Sequence, residues 1–239
     1  MKILPVGDSA VTVEFENEIS PECNGKVSRL AKAIKEKNKK GIIEVNPTYC
    51  DLLVCYNPII IDYKKICKFI EKTAKSLTGE VGDNGTIYYI PVCYGGKYGE
   101  DIKDVAEHTG YTEQEVIEKH SGKDYLIYML GFLPGFSYLG GMDKTLETPR
   151  LPQPRTVIPA GSVGIGGSQT GIYPLDSPGG WRLIGRTPVR PYDAKNEKIL
   201  YSAGDYIRFY PITEEEYLQI EKQVENGTYT VKTERKGNK

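Results

Sequence analysis

Histidine is nearly absent from this chain: His108 and His120 are the two in 239 residues. Five cysteines (Cys23, Cys50, Cys55, Cys67, Cys93) lie at irregular gaps with no C-x-x-C pair. Neither a zinc site nor a disulfide framework is indicated, and the thiols read as buried or idle. The nucleotide strings are missing too. There is no G-x-x-x-x-G-K-[ST], and Gln169 stands where a G-x-G-x-x-G fingerprint needs its last glycine. A G-x-S-x-G elbow is absent, since Gly166-Gly167-Ser168 and Phe136-Ser137 lack the second glycine. No stretch approaches the ~20 apolar residues of a membrane span. The start, MKILPVGDSAVTVEF, is broken by Pro5, Gly7 and Asp8 and is no signal peptide. A net charge of −1 argues against wholesale nucleic-acid binding. The expectation is a cytoplasmic protein with no nucleic-acid or membrane partner and no metal site.

What is present divides in two. Residues 1–80 read as a small α/β domain. In SAVTVEF, Val11, Val13 and Phe15 share one strand face. Ser20-Pro21 supplies a cap and a first-turn proline, Val27, Leu30, Ala31 and Ile34 recur at helical spacing, and Gly41 is the expected stop. IIEV and TYCDLLVCY are strands. Asp62 caps a second helix with Ile66, Phe69, Ile70 and Ala74 inside, and TIYYIPV is a further strand. The order suits a ferredoxin-like sandwich in an α+β protein. SLTGEVGDNG, 76–85, reads as a linker.

Residues 86–239 form the second domain. GEDIKDVAEHTG is a helix closed by Gly110, and Thr112 with Glu115 opens another that ends near His120. Beyond YLIYML, 12 of the 26 glycines fall within 131–185 and nine of the 15 prolines within 134–191. The segments between them, TVI, SVGI and WRLIG, are short and β-prone, as in a β-barrel or sandwich. KILYSAGDYIRFYPI adds two strands, and Thr213 with Glu216 opens a last helix with Tyr217, Ile220 and Val224 inside. The tail KTERKGNK reads as disordered.

Arginine is distributed unevenly. Against 23 lysines there are eight arginines, and five of them, Arg150, Arg155, Arg182, Arg186 and Arg190, lie within 41 residues. From Lys144 to Arg190, six basic residues face two acidic ones. Arginine offers a planar fork for carboxylate or phosphate where lysine offers a mobile point charge. Such a cluster suits an anionic ligand, or equally a set of loop ties through Glu147 and Asp176. Glycines here permit an anion nest or simply tight turns. His120 closes a helix, a position that suits an acid–base group and equally a cation at a helix C-terminus.

GFLPGFSYLGG (131–141), TPRLPQPRTVIPAGSVGIGG (148–167) and QTGIYPLDSPGGWRLIGRTP (169–188) resemble the signature blocks of the family of KipI and the 5-oxoprolinase B subunit (PxpB), also called allophanate hydrolase subunit 1. PVCYGGKYGEDIKDVAEHTG resembles the family's entry to the same domain. Ser137 departs from the pattern, giving GFSYL and not GFPYL, a change expected to loosen one turn. The resemblance implies a ferredoxin-like N-terminal domain followed by a cyclophilin-like β-barrel domain. It implies the B subunit of an ATP-dependent 5-oxoprolinase, partnered by the C and A subunits, with ATP and magnesium used by the complex. The alternative it carries is a KipI-like inhibitor of a sensor histidine kinase. On the matched blocks, His120, Arg155 and Arg182 are expected as catalytic groups. Arg150, Ser162, Gln169, Thr170, Gly179, Gly180 and Arg186 are expected to bind substrate or nucleotide. Phe132, Phe136, Tyr138 and Trp181 are expected at a partner interface.

Overall fold

Alternation organises the first unit, Met1–Asp83. Strands β1 (Lys2–Val6), β2 (Ala10–Glu14), β3 (Ile42–Pro47) and β4 (Asp51–Tyr56) form one antiparallel sheet in the order β1-β2-β4-β3. Val11 and Val13 stand opposite Val54 and Leu52, so their side chains share a face. Helix α1 (Pro21–Glu36) and helix α2 (Tyr63–Lys75) close over that face, burying Val27, Leu30, Ile34, Ile66 and Ile70 in the same core. Ser20 and Asp62 cap the two helices through Cys23 N–H and Lys65 N–H. Helix α1 stops four residues before the expected Gly41 region, because Asn38 already turns left-handed at φ 41°.

The structure, a computed structural model, describes residues 1–15, 20–77 and 85–237. Most of the expected linker, 78–84, lies outside the described residues.

The second unit, Asn84–Lys239, is a closed barrel with helices packed on it. Its elements are β5 (Thr86–Tyr94), α3 (Ile102–Thr109), α4 (Glu113–Ser121), β6 (Asp124–Leu130), β7 (Ser137–Gly140), β8 (Arg155–Ile158), β9 (Ser162–Gly166), β10 (Gln169–Ile172), β11 (Ser177–Gly179), β12 (Arg182–Arg186), β13 (Tyr192–Asp193), β14 (Lys198–Ile199), β15 (Tyr206–Pro211), α5 (Glu214–Glu225) and β16 (Thr233–Arg235). Seven strands run in the order β12-β9-β10-β7-β6-β15-β5, and β5 returns to β12 to close the ring. The β5–β15 pair is parallel and the others are antiparallel. The core joins Val163, Ile165, Ile172, Ile207 and Phe209 of the barrel to Ile102, Val105 and Val116 of α3 and α4.

Two expectations are corrected here. Residues 233–235 of the tail are not disordered: β16 pairs antiparallel with β5, and Tyr89 N–H donates to Lys232 O at 3.0 Å. Ser137 does not loosen a turn. It lies buried in β7, where its Oγ accepts the Tyr201 hydroxyl at 3.2 Å.

A small second core sits on the other face of β9 and β10. Val163 and Ile165 point into the main core, so pleating sends Gly164 and Gly166 the opposite way. Trp181 lies across them. A Cβ at Gly164 would come 3.2 Å from Trp181 Cβ, one at Gly171 3.2 Å from its ring, and one at Gly166 would overlap the indole. Phe136, Ile158, Tyr173 and Leu183 complete this cluster under the β8–β11 ribbon.

Candidate functional site

Arg150, Arg155 and Arg182 gather around the loop that leads into β8 and the turn that leads into β12. Leu151 N–H donates to Gly180 O at 2.7 Å, and Arg155 stands opposite Gly179 in the β8–β11 ribbon. Arg155 and Arg182 are already committed to acids at the start of α3. Arg155 Nη2 donates to Asp101 Oδ1 at 2.8 Å, and its Nε lies 3.2 Å from Glu100 Oε1. Asp101 is buried, and its second oxygen accepts Leu183 N–H at 2.7 Å. Arg182 pairs with Asp104 and reaches Pro149 O at 3.4 Å. These contacts lock the α3 start, the loop before β8 and strand β12 together. Arg150 differs: it is exposed, lies over Trp181 at 5.9 Å, and has no carboxylate within ion-pair distance among the described residues. The acids Glu100, Asp101 and Asp104 were missed because GEDIKDVAEHTG reads only as a helix. The ties that sequence suggested through Glu147 and Asp176 are not the ones formed by Arg155 and Arg182.

His120, expected as a catalytic group, is fully buried. Its ring stacks on Phe209 with centroids 4.7 Å apart. Nε2 lies 2.8 Å from Thr170 Oγ1, which itself donates to Gly164 O at 2.9 Å. The threonine proton is thereby used, so Thr170 accepts from Nε2–H and Nδ1 accepts the Tyr94 hydroxyl at 2.8 Å. Both ring nitrogens are satisfied by protein, and burial pushes the imidazole pKa down to about 3. Thr170 is also fully buried, with its hydroxyl proton engaged by Gly164 O.

The other expected binding residues separate. Gly179 packs against Tyr173 Oη and Ile158 Cδ1, where a Cβ would sit 2.5 Å and 2.7 Å away. Neither Gly179 nor Gly180 has positive φ, so no αR–αL anion nest forms there. Gln169 is half-buried at the start of β10. Ser162 and Arg186 face each other at the opposite end of the β9–β12 pair from Arg182. Ser162 Oγ and Arg186 Nε are buried without a hydrogen-bond partner among the described residues.

Of the four expected interface aromatics, Phe136 and Trp181 lie buried in the second core. Tyr138 is half-buried beside Phe136. Phe132 alone of the four is exposed, at 64%. Its φ is +67°, and Leu133 N–H donates to Gly131 O at 2.8 Å. That three-residue turn is the rarer, strained γ form.

The sequence matches the family described as carboxyltransferase domain, subdomain C and D, over residues 1–201. The chain is 41% identical over 230 residues to the 5-oxoprolinase B subunit of Bacillus subtilis (strain 168), covering 90% of this chain and 95% of the relative. The crystal structure of a conserved uncharacterized protein from Pyrococcus horikoshii is 45% identical, with 90% of this chain and 100% of that one covered at a TM-score of 0.53. The crystal structure of the K. lactis urea amidolyase shares the fold at a TM-score of 0.79 and 20% identity, with 98% of this chain covering 16% of that one.

Proposed function

The chain belongs to the family of the carboxyltransferase domain, subdomains C and D, and on that footing we propose that it is the B subunit of an ATP-dependent 5-oxoprolinase. The complex would open the lactam amide of 5-oxoproline with water to give glutamate. The observation that carries this reading is 41% identity to a 5-oxoprolinase B subunit, coextensive with nearly the whole of both chains. The chain is a non-autonomous subunit, with the C and A subunits as its partners. We also read residues 1–80 as a ferredoxin-like sandwich, supported by β2 and β3 flanking β4 around the α1 crossover. Residues 86–239 are read as a cyclophilin-like barrel, supported by the seven-strand closure.

Among the described residues, no group of three or more His, Cys, Asp or Glu side chains stands ready for a divalent ion. The acids of the α3 start also neutralise Arg155 and Arg182. We assign the nucleotide to the rest of the complex. Arg155 and Arg182 act as positioning residues that hold Arg150 and the Gly180 turn in place. Arg150 is the cation open to substrate or partner, and Phe132 is the apolar anchor for a neighbouring subunit.

The test is 5-oxoproline hydrolysis by candidate A and C subunits with ATP, with and without this chain. Hydrolysis that requires the chain is expected. An equal rate without it overturns the reading.

A further inference from the structure

We propose that the groove between strand β3 and the end of helix α1 docks an extended acidic segment of a partner protein, which adds to the β3 edge as a short strand. The proposal stands on the first unit alone and goes beyond the subunit reading above, whose test is independent of it.

The first argument is the backbone. β3 is an edge strand, paired with β4 on one side and with no strand on the other among the described residues. Tyr56 N–H donates to Ser9 O at 2.8 Å, and the β2–β4 register carries that bonding on through Val54 and Leu52. Bonding direction alternates along an antiparallel strand, so Leu53 and Cys55 turn their peptide groups to β3. Their partners there are Asn46 and Glu44. Val45, between those two, points its N–H and its C=O away from β4, on the side of the groove it lines. Neither group has a hydrogen-bond partner among the described residues. One facing residue of an incoming strand would take both. The window is bracketed. Ile43 is an extra residue where the register shifts between Ile42 and Glu44, Ile42 N–H already donates to Lys39 O at 3.1 Å, and Pro47 has no N–H. A bulge and a proline block open-ended pairing at an edge, so the site takes a short segment centred on Val45.

The second argument is charge. Residues 32–40 hold five lysines and one acid, Glu36. Lys35 and Lys39 line the groove, are exposed, and make no ion pair among the described residues. Glu44, the one acid of the lining, accepts from Asn46 Nδ2 at 3.0 Å. The end of α1 adds about half a negative charge, which the lysines exceed. Asp or Glu side chains flanking the docked residue would meet these ammonium groups. A second copy of this chain would bring the same lysines against them, and like charges in that position repel.

The third argument is the apolar floor. Ile34, Ile42 and Val45 lie at the base of the groove, and Ile43 at its rim is 65% exposed. The volume is about 370 Å³, within the roughly 300–1,000 Å³ of sites that hold a ligand. The matching segment carries β-branched residues at its centre and acids at both ends.

The experiment is fluorescence anisotropy of the full chain with a labelled peptide of sequence DEVTVED, capped at both ends. Saturable binding with a Kd below about 1 mM is expected. The peptide KKVTVKK should bind at least about tenfold more weakly, since its charges oppose those of the groove. N-methylation of the three central residues, one at a time, should weaken binding at least about tenfold in at least one case, because it removes a backbone donor to Val45 O and leaves the charge alone. The double variant Lys35→Glu, Lys39→Glu should weaken binding at least about tenfold with an unchanged unfolding midpoint, both side chains being exposed. The Val45 amide should exchange at least about tenfold more slowly in the presence of saturating peptide. The proposal is overturned by no saturation up to about 1 mM, by equal binding of KKVTVKK, by full affinity of all three N-methylated peptides, or by full affinity in the double variant. A dimer in sedimentation equilibrium that the double variant disrupts would assign the groove to a second copy and also overturn it. Any of these failures leaves the subunit assignment standing, and hydrolysis that does not need this chain leaves the groove standing.

Discussion

A histidine whose two ring nitrogens both hold bonds inside a core cannot gain a proton without losing one of them. His120 is neutral in the fold, with its pKa near 3, and ordinary, near 6.5, when unfolded. Between those values the unfolded chain binds the extra proton, so stability falls as pH drops from about 6.5 toward 3. The slope from this one group is at most about 1.4 kcal/mol per pH unit. Urea unfolding of wild type and His120→Asn across pH 4–7 should show the variant less stable at pH 7, with a shallower pH dependence. Parallel profiles would contradict the buried neutral ring. Asp101 is the other residue on which much depends, since it holds both Arg155 and Leu183 N–H from a buried position. Asp101→Ala should cost about 3–5 kcal/mol, the usual loss when one partner of a buried pair is removed. Arg155→Ala should also lower the unfolding midpoint, so any loss of activity must be read against that change. Sequence made the arginine cluster legible but not its partners. Nothing in the spacing of Glu100, Asp101 and Asp104 tells that their carboxylates turn toward residues 50 or more positions downstream.

Helices were legible from their ends. Capping boxes at Thr112–Glu115 and Thr213–Glu216 both form, and Gly110 closes α3 at φ +74°. Strands were legible where alternation or a buried run exceeded four residues, as in β2, β4 and β6. The short strands β7, β10 and β11 were not, because their pairing depends on distant neighbours more than on local propensity. The glycine-rich stretch also had a cause that no local reading reveals, since Gly164, Gly166 and Gly171 become a floor only when Trp181 arrives. Gly166→Ala should therefore destabilise by about 1–3 kcal/mol, the cost of overpacking, measured by denaturant midpoint. An unchanged midpoint would mean that the indole has room to shift. The tail misled for a similar reason. KTERKGNK is polar throughout, yet Glu234 accepts the Tyr89 hydroxyl at 2.5 Å and Lys236 lies 3.6 Å over Tyr206. Deleting residues 228–239 should speed hydrogen exchange at the Tyr89 amide by at least about tenfold, as a ladder bond is lost. Protection that survives the deletion would show that β16 is dispensable.

At the scale of the whole protein, assembly and stability should part company at Phe132. The strained turn costs on the order of 1–3 kcal/mol, and glycine adopts the same φ freely. Phe132→Gly should leave the chain as stable or slightly more stable, and weaken capture of its neighbouring subunit by roughly 30-fold, the value of an anchor worth about 2 kcal/mol. Unchanged affinity by surface plasmon resonance would remove Phe132 from the interface. The family blocks were legible across the chain because they carry tight turns and arginines. Which of their residues face outward was not, since Phe132 and Phe136 read alike in sequence and end with opposite exposures. The parallel pairing of β5 with β15 has a consequence during synthesis. Tyr89 meets Arg208 across 119 positions, so the first strand of the barrel is made long before the strand that seals it. At about 5–20 residues per second the ribosome leaves that edge open for roughly 6–24 s. Through that interval the nascent barrel is an unsealed sheet, and molecular chaperones have their opportunity before the chain is released.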